Sequence, residues 1–172
     1  AQISVGMLAG AQLNAIHTSV PFLTIAPDGR SSGMGDAGVA SKPDVNSQYW
    51  NPAKYAFADG RRGFAASLSP WIRNLIPDVW HLYLSAYYKI SENSALSSSF
   101  RYFSLGRIDF TGIGMPGAYL SPREFALDAG YSRKFTDQFS GGVVLRYVQS
   151  DIFLNNPNVA GSGTSTGRTL AA

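Results

Sequence analysis

The chain has 172 residues, with 14 Lys+Arg against 11 Asp+Glu, 18 Gly, 9 Pro and no Cys. That is length for one ordinary domain, and charged residues at 15%, aromatics at 13% and apolar residues at 45% exclude an intrinsically disordered chain. The absence of cysteine excludes a disulfide scaffold and every Cys-bearing zinc or redox motif, and a formal net charge of only +3 without a Lys/Arg-rich run does not imply nucleic acid.

Residues 1–20 are small, polar and weakly patterned, and they read as an N-terminal arm. Ala1-Gln2 reads as the new N-terminus left by signal-peptide removal at a small residue. No run of about 18 apolar residues occurs, which excludes a transmembrane helix. Residues 21–62 are dense in Gly, Pro, Asp and Asn with no sustained period, so turns and short helical pieces are expected. One piece should start at Asn51 or Pro52, because Asn caps helices and Pro is tolerated at the first helical position. This segment, residues 21–57 in particular, is expected to be a compact hatch and not part of a sheet.

From residue 63 to the end, period-2 alternation takes over. Trp80, Leu82, Leu84, Ala86, Tyr88 and Ile90 alternate with His81, Tyr83, Ser85, Tyr87 and Lys89, while Phe125, Leu127, Ala129 and Tyr131 alternate with Glu124, Ala126, Asp128, Gly130 and Ser132. Weaker alternation surrounds Phe64, Phe100 and Val143, so strands should begin near residues 64, 79, 96, 124 and 141. The connections are short and polar at residues 91–94 and 136–139 but long at residues 70–77, 107–122 and 151–167. Short turns at one end and long loops at the other are the asymmetry of an outer-membrane β-barrel. Its aromatic girdle would be Trp71, Trp80, Tyr88, Tyr102, Phe103, Phe135 and Tyr147. A soluble β-sandwich produces the same alternation and remains open at this point.

On the barrel reading, Trp80, Leu82, Leu84, Tyr88, Phe125, Leu127 and Leu145 face lipid. Ser85, Tyr87 and the charges Arg101, Glu124, Asp128 and Arg146 face the lumen, where the four charges neutralise one another. At roughly 19 residues per strand, five to six strands fit, fewer than the minimum of about eight in a closed membrane barrel. The chain is therefore expected to be the N-terminal part of a longer barrel. The first long loop gathers Trp71, Ile72, Leu75 and Ile76, an apolar cluster expected to touch a protein partner on the extracellular side, with dipping into the outer leaflet as the alternative.

Gly33, Gly35 and Gly38 spell Gly-x-Gly-x-x-Gly, but a turn precedes them and no strand-helix-strand unit follows. The glycines therefore read as backbone needed for positive φ or close packing, not as a nucleotide site. Gly161-Ser162-Gly163 reads as a flexible loop. His17 and His81 belong to no His/carboxylate cluster, and no catalytic, cofactor-binding or metal-ligating set emerges.

The run PFLTIAPDGRSSGMGDAG at residues 21–38 and SQYWNPAKYAF at 47–57 resemble the PorV family of outer-membrane proteins of the type IX secretion system, itself part of the wider FadL-like group. The likeness continues through SPWIR at 69–73, LIPD at 75–78, FRYFSLG at 100–106 and AGYSR at 129–133. It marks Asp28, Gly33, Gly35, Asp36, Asn51 and Pro52 as the hatch motif. The resemblance implies a fourteen-stranded barrel with an N-terminal hatch in the outer membrane of a Bacteroidota-type host. It also implies a non-enzymatic, cofactor-free role. The family takes cargo by its C-terminal signal domain from the SprA/Sov-type translocon barrel and shuttles it to a surface attachment complex. A FadL-like channel for hydrophobic small molecules is the rival that the wider group keeps open.

Overall fold

The computed structural model describes residues 20–70, 79–109, 119–155 and 164–171. Eight strands form one antiparallel sheet: β1 (Arg62–Pro70), β2 (Trp80–Ser91), β3 (Ser94–Ser104), β4 (Ile108–Asp109), β5 (Tyr119–Leu120), β6 (Arg123–Lys134), β7 (Ser140–Asn155) and β8 (Thr164–Ala171). β1, β2, β3, β6 and β7 lie side by side, and β8 pairs with β7. β4 and β5 are a small hairpin that joins β7 at Leu154 and Asn155.

Five of the strands start within two residues of the positions that alternation marks. Two features depart from the sequence reading. The segment at residues 151–167 is not all loop, since β7 continues to Asn155 and β8 starts at Thr164. Runs of Ser, Thr and Gly carry no hydrophobic alternation, yet the register Arg146↔Ala171 to Phe153↔Thr164 fixes their backbone in a ladder. The β4–β5 hairpin, inside the second long connection, is likewise too short for a pattern to show.

The turns are as tight as their polar residues suggest. Glu92 and Asn93 alone connect β2 to β3, and the register slips between Lys89 and Ser91. Residues 135–139 connect β6 to β7, closed by the Phe135 N–H donating to the Phe139 carbonyl at 2.9 Å.

The two faces of the sheet are opposite to those of a soluble protein. Because side chains alternate, each inter-strand row keeps to one face. The row Phe64–Ala86–Ser98–Ala129–Leu145 and its neighbours on the same face leave Phe64, Leu68, Tyr88, Leu96, Leu127, Tyr131, Val143 and Leu145 exposed. Trp80 is exposed on this face too, and Leu82, Leu84 and Phe125 are half-buried there. On the other face Tyr83, Ser85, Ser97, Ser99, Arg101, Asp128 and Ser132 are buried. Phe103 belongs to this inner face, two residues on from Arg101. It is buried against Phe22, with ring centroids 6.3 Å apart, and so is not a girdle residue.

Residues 20–61 cover the inner face. They contribute a 3-10 turn (Pro21–Thr24), α1 (Gly29–Gly33), α2 (Ser47–Trp50) and a 3-10 segment (Pro52–Phe57). The last begins where Asn and Pro place it: the Asn51 side chain accepts the Ala53 N–H at 3.1 Å, and Pro52 takes the first position. Two apolar clusters attach this segment to the sheet. One joins Phe22 to Val79, Phe103, Ala126 and Val148, and the other joins Tyr55 and Ala58 to Tyr87 and Ala95.

Of the Gly-x-Gly-x-x-Gly glycines, Gly35 has φ 75 and is followed by Asp36 at φ 58. A Cβ on Gly38 would enter the Trp50 indole, whereas Gly33 has open space around it. Gly38→Ala should therefore cost about 1–3 kcal/mol and loosen residues 20–61 to protease, with Gly33→Ala close to neutral. Equal digestion rates for the two variants would contradict this packing.

Candidate functional site

The site is the polar seam where residues 20–61 meet the sheet. The covering segment first holds itself in shape. Asp28 caps α1, accepting the Ser31 N–H and Ser31 hydroxyl, each at 2.9 Å. The Trp50 indole N–H donates to the Ser31 hydroxyl oxygen at 3.0 Å, which ties α2 to α1. Tyr55 is fully buried: its hydroxyl donates to the Val45 carbonyl at 2.7 Å and accepts the Gln48 N–H at 2.8 Å. Lys54 donates its ammonium to the Gly38 carbonyl at 2.8 Å and to Ser41 Oγ at 3.1 Å. Burial pushes the Tyr55 hydroxyl far up from its ordinary value and pulls the Lys54 ammonium down.

Across the seam, the sheet reaches the segment through side chains of the inner face. Ser85 donates to Asn46 Oδ1 at 3.2 Å, Ser140 to the Ala53 carbonyl at 2.9 Å, and Lys89 Nζ to the Ala58 carbonyl at 2.8 Å. The Tyr55 and Tyr87 rings stack at 4.8 Å. Gly130 and Gly142 leave room for Gln48 and Ala53 to approach the strands.

At the centre lies a charge cluster. The row Ala65–Ser85–Ser99–Asp128–Arg146 crosses five strands on the inner face. The Asp128 carboxylate accepts Arg146 Nε at 2.7 Å, Arg146 Nη2 at 2.9 Å and Ser99 Oγ at 3.1 Å. Arg101, wholly buried one row away, places Nη2 at 3.9 Å from Asp128. With that carboxylate already held by Arg146, Arg101 turns to the covering segment. Its Nη1 donates to the Leu23 carbonyl at 3.2 Å, and its guanidinium lies 4.6 Å from the Tyr49 ring and 5.7 Å from the Tyr83 ring.

Arg101, Asp128 and Arg146 thus come together. Glu124 does not join them, because four residues along β6 is about 13 Å, and it accepts Ser150 Oγ at 2.8 Å instead. Asp28, Gly33, Gly35, Asp36, Asn51 and Pro52 all lie in the covering segment, where they cap and turn the chain. Trp71, Ile72, Leu75 and Ile76 lie outside the described residues, as do His17 and Gly161-Ser162-Gly163. Sequence reasoning gave no role to Gln48, Tyr49 or Tyr55, although all three lie in the run SQYWNPAKYAF, and it named Tyr83 and His81 only as members of an alternating set or as a histidine outside any cluster. The last two share the parity of Ser85 and Tyr87 on β2, a signal that was present.

These features define an all-β protein built on an inside-out antiparallel sheet, with its polar face sealed by an N-terminal segment. The model of the type IX secretion system protein PorV matches residues 8–170, nearly the whole chain, and the chain belongs to that family. No curated protein matches it.

Asp128→Ala should destabilise by about 3 kcal/mol, because it leaves a fully buried Arg101 with no carboxylate near. Arg146→Ala should cost less, since Asp128 can then close on Arg101. Urea unfolding in detergent that ranks the two variants in reverse order would refute this account. Tyr55 supplies a pH test. Its folded pKa lies above the ordinary 10.0, so the folded state keeps a proton that the unfolded state releases. The contribution of Tyr55 to stability should therefore be constant below about pH 10 and decline above it, and Tyr55→Phe should make the alkaline fall shallower while losing about 1–3 kcal/mol at neutral pH.

Proposed function

We propose that this chain provides the hatch and first wall strands of a fourteen-stranded outer-membrane barrel. In the type IX system it binds the C-terminal signal domains of exported cargo at a SprA/Sov-type translocon and shuttles them to the surface attachment complex. The observation that carries the membrane part is the inside-out sheet: a broad face of large apolar side chains turned outward over charged side chains buried within. Such a face suits hydrocarbon, and water does not tolerate it at this size. From Trp80 to Tyr88 the outward face of β2 spans about 27 Å along the strand, close to the roughly 25 Å apolar band of outer-membrane barrels. Further strands close the wall in this reading, because open edges do not persist in lipid.

The shuttle reading rests on family membership, and one feature of the seam favours it over a small-molecule channel. Among the described residues the hatch is joined to the wall by side-chain hydrogen bonds from Ser85, Lys89, Arg101 and Ser140, and by an apolar cluster near each end. A route for ligands past it would have to break these together. The short turns then lie in the periplasm and the loop with Trp71, Ile72, Leu75 and Ile76 lies outside, where its apolar side chains meet a protein partner.

Replacing Trp71 and Ile76 together by Ala should weaken capture of translocon and signal-bearing cargo by about tenfold or more, on the order of 2 kcal/mol, at equal membrane levels. Pull-downs from outer membranes that match the unmodified protein would remove this loop from the interface. Copurification of lipid-like ligands without cargo would favour the channel.

A further inference from the structure

The short-turn end of the sheet carries a chemistry that the wall reading does not use. On the exposed face one inter-strand row runs Arg62–Tyr88–Leu96–Tyr131–Val143, and Tyr88, Leu96 and Tyr131 are 47%, 49% and 43% exposed. Just beyond it Arg133 pairs across the ladder with Gly141. The Phe135 ring lies over Gly141, where a Cβ would stand 3.0 Å from it. Phe139 stacks on Phe135 at 5.8 Å, and both rings are 62% exposed on a turn. Two phenylalanines stacked in the open at a turn gain nothing from water.

The charges at this end are unequal. Asp137 is held by Lys134 at 2.7 Å, and Asp59 faces Lys42 at 3.4 Å. Glu92 shares a polar cleft of about 330 Å³ with Asp59, Arg61 and Lys89. Arg61 also places its guanidinium 6.0 Å from the Tyr88 ring. Arg62 and Arg133, both exposed, make no ion pair or side-chain hydrogen bond among the described residues. At the opposite end two arginines point outward: Arg123 has Asp151 directly across the ladder, and the exposed Arg168 has Gln149. Among the described residues the exposed face thus carries two arginines without an ion pair at the short-turn rim, Arg62 and Arg133, against Arg168 at the opposite end.

We propose that this rim is a collar for anionic phospholipid headgroups, with Arg62 and Arg133 taking lipid phosphate and Tyr88, Tyr131, Phe135 and Phe139 seated at the boundary of headgroups and acyl chains. The proposal rests on the wall reading, since it needs the exposed face to meet lipid. Continuity argues for lipid as the occupant: the collar is the lower margin of the same apolar face, and aromatic residues beside arginines match a surface that is apolar above and anionic below. The two arginines stand on β1 and β6, three strand spacings or about 14 Å apart, so they take separate headgroups. A guanidinium offers phosphate two parallel N–H donors, which distinguishes this contact from a diffuse attraction.

These 172 residues hold no cysteine, and any cysteine elsewhere in the full-length protein is first replaced by serine, so that single labels are clean. The full-length protein is placed in vesicles of equimolar phosphatidylglycerol and phosphatidylcholine, with nitroxide on Leu127→Cys, Phe139→Cys or Glu92→Cys. Its retained lipids are also weighed by native mass spectrometry. The Leu127 label should lie deep in hydrocarbon, the Phe139 label at the interface and the Glu92 label in water. Phosphatidylglycerol should be retained over phosphatidylcholine, and Arg62→Gln and Arg133→Gln should each reduce that preference about fivefold. A deep Leu127 label with Phe139 in bulk water, or a preference unchanged in the double variant, overturns the collar and leaves the wall reading standing. A Leu127 label in water overturns both.

Discussion

Everything in this structure follows from where the sheet puts its charge. A wall with an apolar exterior has only its inner face for polar side chains, and there Asp128 accepts two guanidinium bonds and a hydroxyl bond in one buried row. A carboxylate and two guanidinium groups cannot remain buried without mutual pairing, and this set carries one more positive charge than negative. The surplus belongs to Arg101, which takes a backbone carbonyl and an aromatic face from the covering segment, while its Nε and Nη2 have no hydrogen-bond partner among the described residues. The segment and the wall therefore depend on each other electrostatically as well as by packing. The apolar clusters at Phe22 and Tyr55 place the segment, and the seam between them fixes its register on the strands.

Legibility in the sequence divides along the same line. The long strands could be read because each alternates over enough residues for the period to stand out, and the charges of the inner face could be read from parity. Glu124 shows the limit of that inference, since parity assigns a face but not a distance, and four residues along a strand remove it from the cluster. Phe103 shows another limit: its position near a strand end suggested a girdle, while its parity with Arg101 assigned it to the interior, and parity prevailed. β8 was invisible because Ser, Thr and Gly enter a ladder through their backbones, and the backbone carries no sequence signal. The fold of residues 20–61 was legible only as turn chemistry at Asp28, Gly35 and Asn51. Its contacts with the wall could not be inferred, because they join positions far apart through single hydrogen bonds to carbonyls.

Membership of the PorV family and the inside-out sheet bear on different questions. The family match concerns the system in which the protein works, a secretion machine with other components. The sheet concerns the solvent that its outer face is built for. Neither follows from the other, since a single fold serves many functions. Together they describe a secretion-system protein whose sheet is covered on its polar face by residues 20–61.

The bond from Ser140 to the Ala53 carbonyl spans 87 positions of the chain, and the one from Arg101 to Leu23 spans 78. Residues 20–61 precede in synthesis the strands that carry their partners. Contacts of such separation cost loop-closure entropy before they return any stabilisation, so they form late and slowly. During that interval the segment has no sheet to lie on, and Phe22 and Tyr55 lack the Phe103 and Tyr87 rings that stack on them. Seating of the segment therefore waits on strands that are made after it. The rate at which the seam closes would then set the time before the protein resists protease.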